Sequence, residues 1–356
     1  MRLRPFVLRG ALSRESLPSH RLRLSQQGYS GAWHEIMRFQ KLDLNLLVAL
    51  DALLSEQQVT RAGERIQLSQ PAMSGALGRL RAHFGDELII KLGRKMVLTP
   101  LAESLHKPVR DTLLLAQAVM DMKPVFEPAS SHRHFSIVAS DFVDRILIGD
   151  VLRALAVSAP TLVIELLDPM GGKMLEDLDR GDVDLLIVPA HYASSEHPME
   201  VLFRDQLTCI AWSEHPTIGG NLSLDQYLEM HHVAMNFGRA RLQSLEGEFL
   251  QGLGYRRKVA IWTSSFIALP QLVVGTDRIA TVPRLLADEF SKTLPLRVLD
   301  SPVEFPEVVE VMQWHQFREN DPGVAWLRTT LHAAAAYLKQ DVGTACNAER
   351  QTLSRT

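Results

Sequence analysis

Short aliphatic runs alternate with helical stretches through most of the chain, and this alternation limits the possible folds more than any other feature. Phe135–Ala139 reads as a strand, and Ser140-Asp141 opens a helix to about Ala156. Leu162–Leu167 is strand-like, Lys173–Asp179 helical, and Val183–Val188 a buried strand, aliphatic apart from Asp184. Strands apolar on both faces must be covered on both faces, and a β-α-β-α-β order sets them parallel with helices over the sheet. A second set follows: Leu207–Trp212, helix 223–229, Val233–Phe237, helix 241–251, Val259–Trp262, helix 265–274, Ile279–Val282 and helix 283–290. The chain returns through Leu296–Leu299 and Val308–Trp314 to a closing helix at about 323–339, and 341–356 reads as a disordered tail. The expectation is two α/β lobes within 127–340, joined by crossings near Pro189–Leu207 and Asp300–Val308.

Ligands of such sheets sit at the carboxyl ends of strands, near helix amino ends. Three stretches qualify: Ser140-Asp141-Phe142, Thr263-Ser264-Ser265-Phe266 and Thr276-Asp277. Free helix N–H groups there favour a carboxylate or phenolate. The hydroxyls of Ser140, Thr263, Ser264 and Ser265 can hydrogen-bond it, with Thr276 and Asp141 nearby, and Phe142, Phe237 and Phe266 can stack on it. The competing reading makes the Ser and Asp residues helix caps and the Phe residues core.

Residues 37–100 read as a compact helical head. Leu42, Leu44, Leu46, Leu47, Leu50, Leu53 and Leu54 recur at helical spacing, and Asp43 stands where an N-cap should, placing a helix at about 44–56. A short helix follows at about 60–66. Ser69 can cap a third, Pro71 suits its first turn, and Gly85 ends it after Phe84. Glu87–Lys91 and Met96–Thr99 make a β wing around Leu92-Gly93-Arg94-Lys95. Ser69, Gln70, Pro71 and Ser74 at the amino end of the third helix are short or polar enough to enter a major groove. Arg79 and Arg81 lie where phosphates pass, and Arg94 and Lys95 sit at the wing tip. The alternative is an interaction module with a solvated polar face.

Charge leans the same way. Residues 1–36 carry six Arg against Glu15 and Glu35, and 37–100 carry nine Lys or Arg against six acids, although the whole chain is at −3. A basic amino-terminal quarter on an acidic body points to a polyanion at that end. Residues 1–36 read as a disordered basic extension, with three explanations open: an upstream start with Met37 as the biological one, a basic arm, or a targeting segment.

The connector, 101–126, places Leu101, Leu105, Val109, Leu113, Ala116 and Met120 on one stripe, with Pro108 expected to kink it. Such a stripe calls for a second copy of the chain, or for packing onto the head. Lys123-Pro124 to Ser130-Ser131 reads as a hinge.

Other chemistry has little support. Thirteen His lack zinc-type spacing, so no metal is expected. Gly252-Leu253-Gly254 lacks the third glycine of a dinucleotide fingerprint, and no phosphate loop or Gly-x-Ser-x-Gly string occurs, so neither a cofactor nor an enzyme is expected. Cys209 and Cys346 cannot build a disulfide framework, which fits a cytoplasmic setting, and no run of about 18 apolar residues suggests a membrane.

Leu42-Asp43-Leu44-Asn45-Leu46-Leu47, Leu68-Ser69-Gln70-Pro71-Ala72-Met73-Ser74 and Leu98-Thr99-Pro100 resemble the winged helix-turn-helix of LysR-type transcriptional regulators. Where many members carry a basic residue after the second Ser, this chain has Gly75. The lobes resemble that family's effector domain, itself similar to periplasmic solute-binding proteins, so the likeness spans about 37–340. Ser140-Asp141-Phe142, His232-Val233-Ala234 with Phe237-Gly238-Arg239, and Thr276-Asp277-Arg278-Ile279-Ala280-Thr281-Val282-Pro283 resemble the flavonoid-responsive nodulation regulators and the salicylate- or nitroaromatic-responsive members. The resemblance implies an α+β multidomain chain: a winged helix-turn-helix head, a linker helix making dimer contacts, and a two-lobed periplasmic-binding-protein-like effector domain. It implies a regulator, activator or repressor, that binds double-stranded DNA at an interrupted palindrome as a homodimer or homotetramer. An aromatic or carboxylate inducer is implied, with RNA polymerase as a candidate further partner. The rival reading is a solute-binding or enzymatic α/β protein whose head is only an interaction module.

Overall fold

The computed structural model describes residues 44–93, 95–120, 125–169, 173–237 and 242–353. Asp43, Arg94, Lys123-Pro124, Gly238-Arg239, the segment 1–36 and the last three residues of the chain, which carry expectations above, lie outside them. The chain divides into two compact units, Met1–Glu103 and Ser104–Thr356, with the division inside a long helix.

In the first unit, α1 (Leu44–Glu56), α2 (Val59–Arg65) and α3 (Gln70–Phe84) precede a two-stranded wing, β1 (Ile89–Leu92) and β2 (Lys95–Leu98). Leu46, Leu50, Leu53 and Leu54 of α1 are buried, with Ala62 of α2 and Met73, Leu77 and Leu80 of α3. The turn between α2 and α3 brings the Leu68 carbonyl so close to Gly63 that a Cβ there would stand 2.8 Å from the oxygen. Glycine is therefore required for the two helices to meet at this angle. Ser69 caps α3, and Gly85 ends it in the left-handed region at φ 65. The wing is antiparallel, Ile89 opposite Leu98 and Leu92 opposite Lys95. The Thr99 hydroxyl donates to Asp86 Oδ1 at 2.6 Å and accepts from the Ala102 N–H at 3.2 Å. One side chain thus joins the wing to the start of α4 (Pro100–Met120).

Pro108 lies within α4. Val109 is buried, while Leu115, Val119 and Met120 are exposed. Arg110 holds this helix to the body of the second unit, donating to the Arg180 carbonyl and pairing with Asp182 at 2.7 Å.

The second unit has two lobes. In the first, β3 (His134–Ala139), β4 (Val163–Leu167) and β5 (Leu185–Pro189) are parallel, and β6 (Met199–Asp205) and a late strand, Val308–Gln313, complete the order β4-β3-β5-late strand-β6. In the second, β7 (Leu207–Trp212), β8 (His231–Phe237), β10 (Lys258–Thr263), β11 (Arg278–Pro283) and β12 (Leu296–Leu299) form the order β10-β8-β11-β7-β12, with β9 (Leu242–Gln243) beside β8. The late strand is β13.

Four expectations need correction. Both sheets are mixed: β13 runs antiparallel to β5 and β6, and β7 antiparallel to β11 and β12. The first crossing is the short link Asp205–Leu207, because β6 belongs to the first lobe. The helix expected at 265–274 is only Leu269–Val273, since Pro270 suits a first turn and delays the start. The closing helix runs Pro322–Leu353, so residues 341–353 continue it; apart from Gly343 no strong helix breaker intervenes.

That helix is anchored at its start. The Asp321 carboxylate accepts from the Gly323 and Val324 N–H groups at 2.9 and 3.2 Å and takes both Arg133 Nη atoms at 2.6 Å. These bonds outweigh burial and hold the Asp321 carboxyl below its ordinary value.

Candidate functional sites

The amino half of α3 has two distinct faces. Met73, Ala76, Leu77 and Leu80 are buried, while Gln70, Pro71, Ser74, Gly75 and Arg79 are exposed. The cap explains why the exposed edge is short: Ser69 Oγ accepts from the Ala72 N–H at 3.4 Å, and Pro71 has no N–H to satisfy. Lys95 is exposed at the start of β2.

Arg81, expected on the phosphate-facing side, also bonds within the head. Its Nε donates to the Glu87 carbonyl at 2.8 Å, its Nη2 to the Ile89 carbonyl at 3.1 Å, and it pairs with Glu87 at 3.0 Å. The guanidinium ties α3 to the root of the wing, because the chain folds back on it immediately after Gly85.

Between the lobes of the second unit lies a cavity of about 340 Å³. Its wall includes Ser140, Phe142, Phe237 and Phe266. Phe142, from the first lobe, stands 6.0 Å from Phe266 of the second, at 53°, and Phe266 stands 6.1 Å from Phe237 at 55°. These tilted rings make an aromatic wall across the lobes, suited to the face or edge of another ring. Ile187, Leu207, Met235 and Val308 extend the apolar lining.

The other five predicted residues are not part of that wall. The Asp141 carboxylate receives the Ser265 hydroxyl at 2.6 Å, the Phe266 N–H at 3.1 Å and the Ile267 N–H at 3.3 Å. Ser265 and the two N–H groups after it, expected to hold a ligand anion, therefore hold the chain's own carboxylate, and the contact latches lobe to lobe. Thr263 Oγ1 accepts from the Ser265 N–H at 3.2 Å, and Ser264 is exposed. Thr276 donates to the Val273 carbonyl at 2.9 Å and accepts from the Arg278 N–H at 3.1 Å, closing a turn.

Polar wall residues also came from places the sequence reading passed over. Glu246 is paired with Arg257, both buried, and accepts from Ser244 Oγ at 2.8 Å. Thr281 shares a 2.8 Å hydrogen bond with the Tyr227 hydroxyl. Glu310 of β13 and Tyr192, which follows β5, line the cavity, and Glu310 Oε2 and the Tyr192 hydroxyl have no hydrogen-bond partner among the described residues. Burial, reinforced by Asp205, pushes the Glu310 carboxyl up to about 8. Burial, reinforced by Glu248, pushes the Tyr192 phenol up to about 12. A charged residue inside the apolar run Val308–Trp314 was the available signal for Glu310; nothing local marked Tyr192.

Among the described residues no group of three or more His, Cys, Asp or Glu could hold a metal ion, and no helix is long and apolar enough to cross a membrane. The histidines serve locally: His197 bonds Asp179 at 2.7 Å, and buried His232 donates to the Tyr227 carbonyl at 2.6 Å.

Both units match known families. Residues 44–103 match the bacterial regulatory helix-turn-helix protein, lysR family, and residues 128–336 match the LysR substrate binding domain. The chain is 44% identical over 295 residues to Nodulation protein D 1 of Mesorhizobium japonicum, covering 83% of this chain and 94% of that one. Among solved structures it is similar to a probable transcriptional regulator from Pseudomonas aeruginosa, with TM-score 0.57 and 27% identity over 83% of this chain and 98% of the other. Full-length OxyR from Pseudomonas aeruginosa shares the fold, with TM-score 0.63 at 16% identity over 83% and 94% of the two chains.

Proposed function

This chain belongs to the LysR family of DNA-binding transcriptional regulators, and on that premise we propose that it answers to an aromatic inducer held between the lobes of its second unit. The aromatic wall of Phe142, Phe266 and Phe237 is the observation that carries this reading. Ser140 supplies a hydroxyl at the same wall. The likeness to relatives named for nodulation supports placing the chain in that aromatic-responsive subgroup.

On the DNA side, Ser69, Gln70, Pro71 and Ser74 enter the major groove. Arg79, Arg94 and Lys95 meet the backbone, and Arg81 supports the root of the wing. The exposed Leu115, Val119 and Met120 of α4 pair with a second copy, so the protein works as a dimer or a dimer of dimers. Two recognition helices related by a twofold axis read an interrupted near-palindrome. RNA polymerase is the further partner of such a promoter-bound dimer, the cytoplasm is its setting, and turnover of the ligand forms no part of its work. The inducer acts by binding one arrangement of subunits better than another.

The test is salt-dependent retention of the full-length protein on duplex fragments, including those upstream of its own gene, with and without candidate aromatic inducers. Retention that falls steeply with salt, together with a footprint altered by an aromatic compound, is the expected result. No salt-sensitive retention on any fragment overturns the DNA placement. Retention that no aromatic compound alters overturns the inducer reading.

A further inference from the structure

We propose that Glu310 and Tyr192 are the donor pair with which this cavity selects ligands bearing a hydrogen-bond-accepting oxygen over hydrocarbons of the same shape. The inference rests on reading the cavity as the inducer site and names the residues that set its chemical selectivity.

The two side chains come from neighbouring pieces of the first lobe. Glu310 stands opposite Pro189 in the antiparallel pairing of β13 with β5, and Tyr192 ends the short turn that follows β5. Both line the cavity, and each has a buried oxygen without a hydrogen-bond partner among the described residues. Buried polar groups of folded proteins are nearly always bonded, and these two unpaired oxygens belong to residues that line the same cavity, where a ligand can supply the partner.

The other acids of the wall have neighbours. Glu246 pairs with buried Arg257, and Glu248 lies 3.4 Å from His191. Glu310 is only 3% exposed and has no cation beside it among the described residues. With its carboxyl raised to about 8, it holds its proton at neutral pH and is a donor there, as is the Tyr192 phenol. A carbonyl or ether oxygen on an aromatic skeleton can accept from either. A hydrocarbon leaves both unpaired.

The test uses full-length protein in titration calorimetry with two probes of matched shape, 1-tetralone, a bicyclic aromatic ketone, and tetralin, its hydrocarbon. Wild type should bind the ketone about three- to tenfold more tightly, the value of one net hydrogen bond. Glu310→Gln keeps an N–H donor and should keep most of that preference. Glu310→Met should remove most of it by weakening ketone binding, with tetralin unchanged. Tyr192→Phe should reduce it part-way. Equal affinities in wild type, a preference undiminished by Glu310→Met, or no binding of either probe overturns the proposal. A preference untouched by Tyr192→Phe removes Tyr192 from it. Retention on duplex DNA, measured on the same preparations, reports misfolding of a variant and keeps failure here distinct from failure of the regulator reading.

Discussion

Removing the Asp141 carboxylate should loosen the two lobes of the second unit from each other. Asp141 follows β3 in the first lobe, and its three donors, the Ser265 hydroxyl and the N–H groups of Phe266 and Ile267, follow β10 in the second. Hydrogen bonds to a charged acceptor contribute roughly 1.5–3 kcal/mol each in net terms. The site is only part-buried, so water replaces some of what is lost. Asp141→Ala should therefore cost about 2–4 kcal/mol, and Asp141→Asn, which keeps one acceptor oxygen, about half of that. Urea unfolding of the full-length protein, followed by tryptophan fluorescence, reports the right unit. Four of the five tryptophans, Trp212, Trp262, Trp314 and Trp326, lie in it, and none lies between residues 37 and 103. A double-mutant cycle with Ser265→Ala isolates the pair, and a coupling of about 1–2 kcal/mol is expected. Strict additivity, or an Asp141→Ala protein within about 0.5 kcal/mol of wild type, would refute the latch. In that case the anion site at residues 265–267 would be open to a ligand after all.

Phe266→Ala should weaken aromatic inducer binding about tenfold and leave DNA affinity intact, checked by calorimetry beside a retention assay; loss of DNA affinity instead would mean the ring supports the fold. Gln70→Ala should cost about 1–3 kcal/mol at the cognate site and relax base choice, and unchanged discrimination in a binding-site selection would remove Gln70 from base contact. The two arginines of α3 should separate. Arg79→Ala lowers the salt slope by about one, while Arg81→Ala leaves the slope alone and costs the head about 1–2 kcal/mol, measured by salt titration and thermal unfolding. The Asp321 carboxyl is held below its ordinary 3.8, so its contribution is complete above that value and disappears as pH falls through the lowered one. Arg133→Met should flatten this acid limb of the stability curve, and an unchanged acid limb would show that Arg133 does not set it.

The head was legible because its signals are local. A heptad-scale leucine stripe gives α1, Ser69 and Pro71 start α3, and Gly85 at positive φ stops it. Mostly apolar strands, such as Leu207–Trp212 and Leu296–Leu299, were equally plain. The strand β6 was not, because it is a sheet edge with Met199 and Val201 exposed and no clean alternation. Strand direction in β13 also escaped, since a crossing between lobes leaves no mark on the residues that follow it.

Of the candidate site, the aromatic wall could be named from sequence, while the polar chemistry could not. Serine, aspartate and arginine announce only that they will be hydrogen-bonded. Their partners are set by what the fold brings near: Ser265 lies 124 positions from Asp141, and Arg81 turns to the wing root rather than outward. Glu310 shows the same limit in its charge, because the proton it keeps is a consequence of burial beside Asp205 and not of being a glutamate. Periodicity, caps and turns act over a few residues and are written in the chain. Hydrogen-bond partners and dielectric surroundings are collective, and the tertiary structure alone decides them.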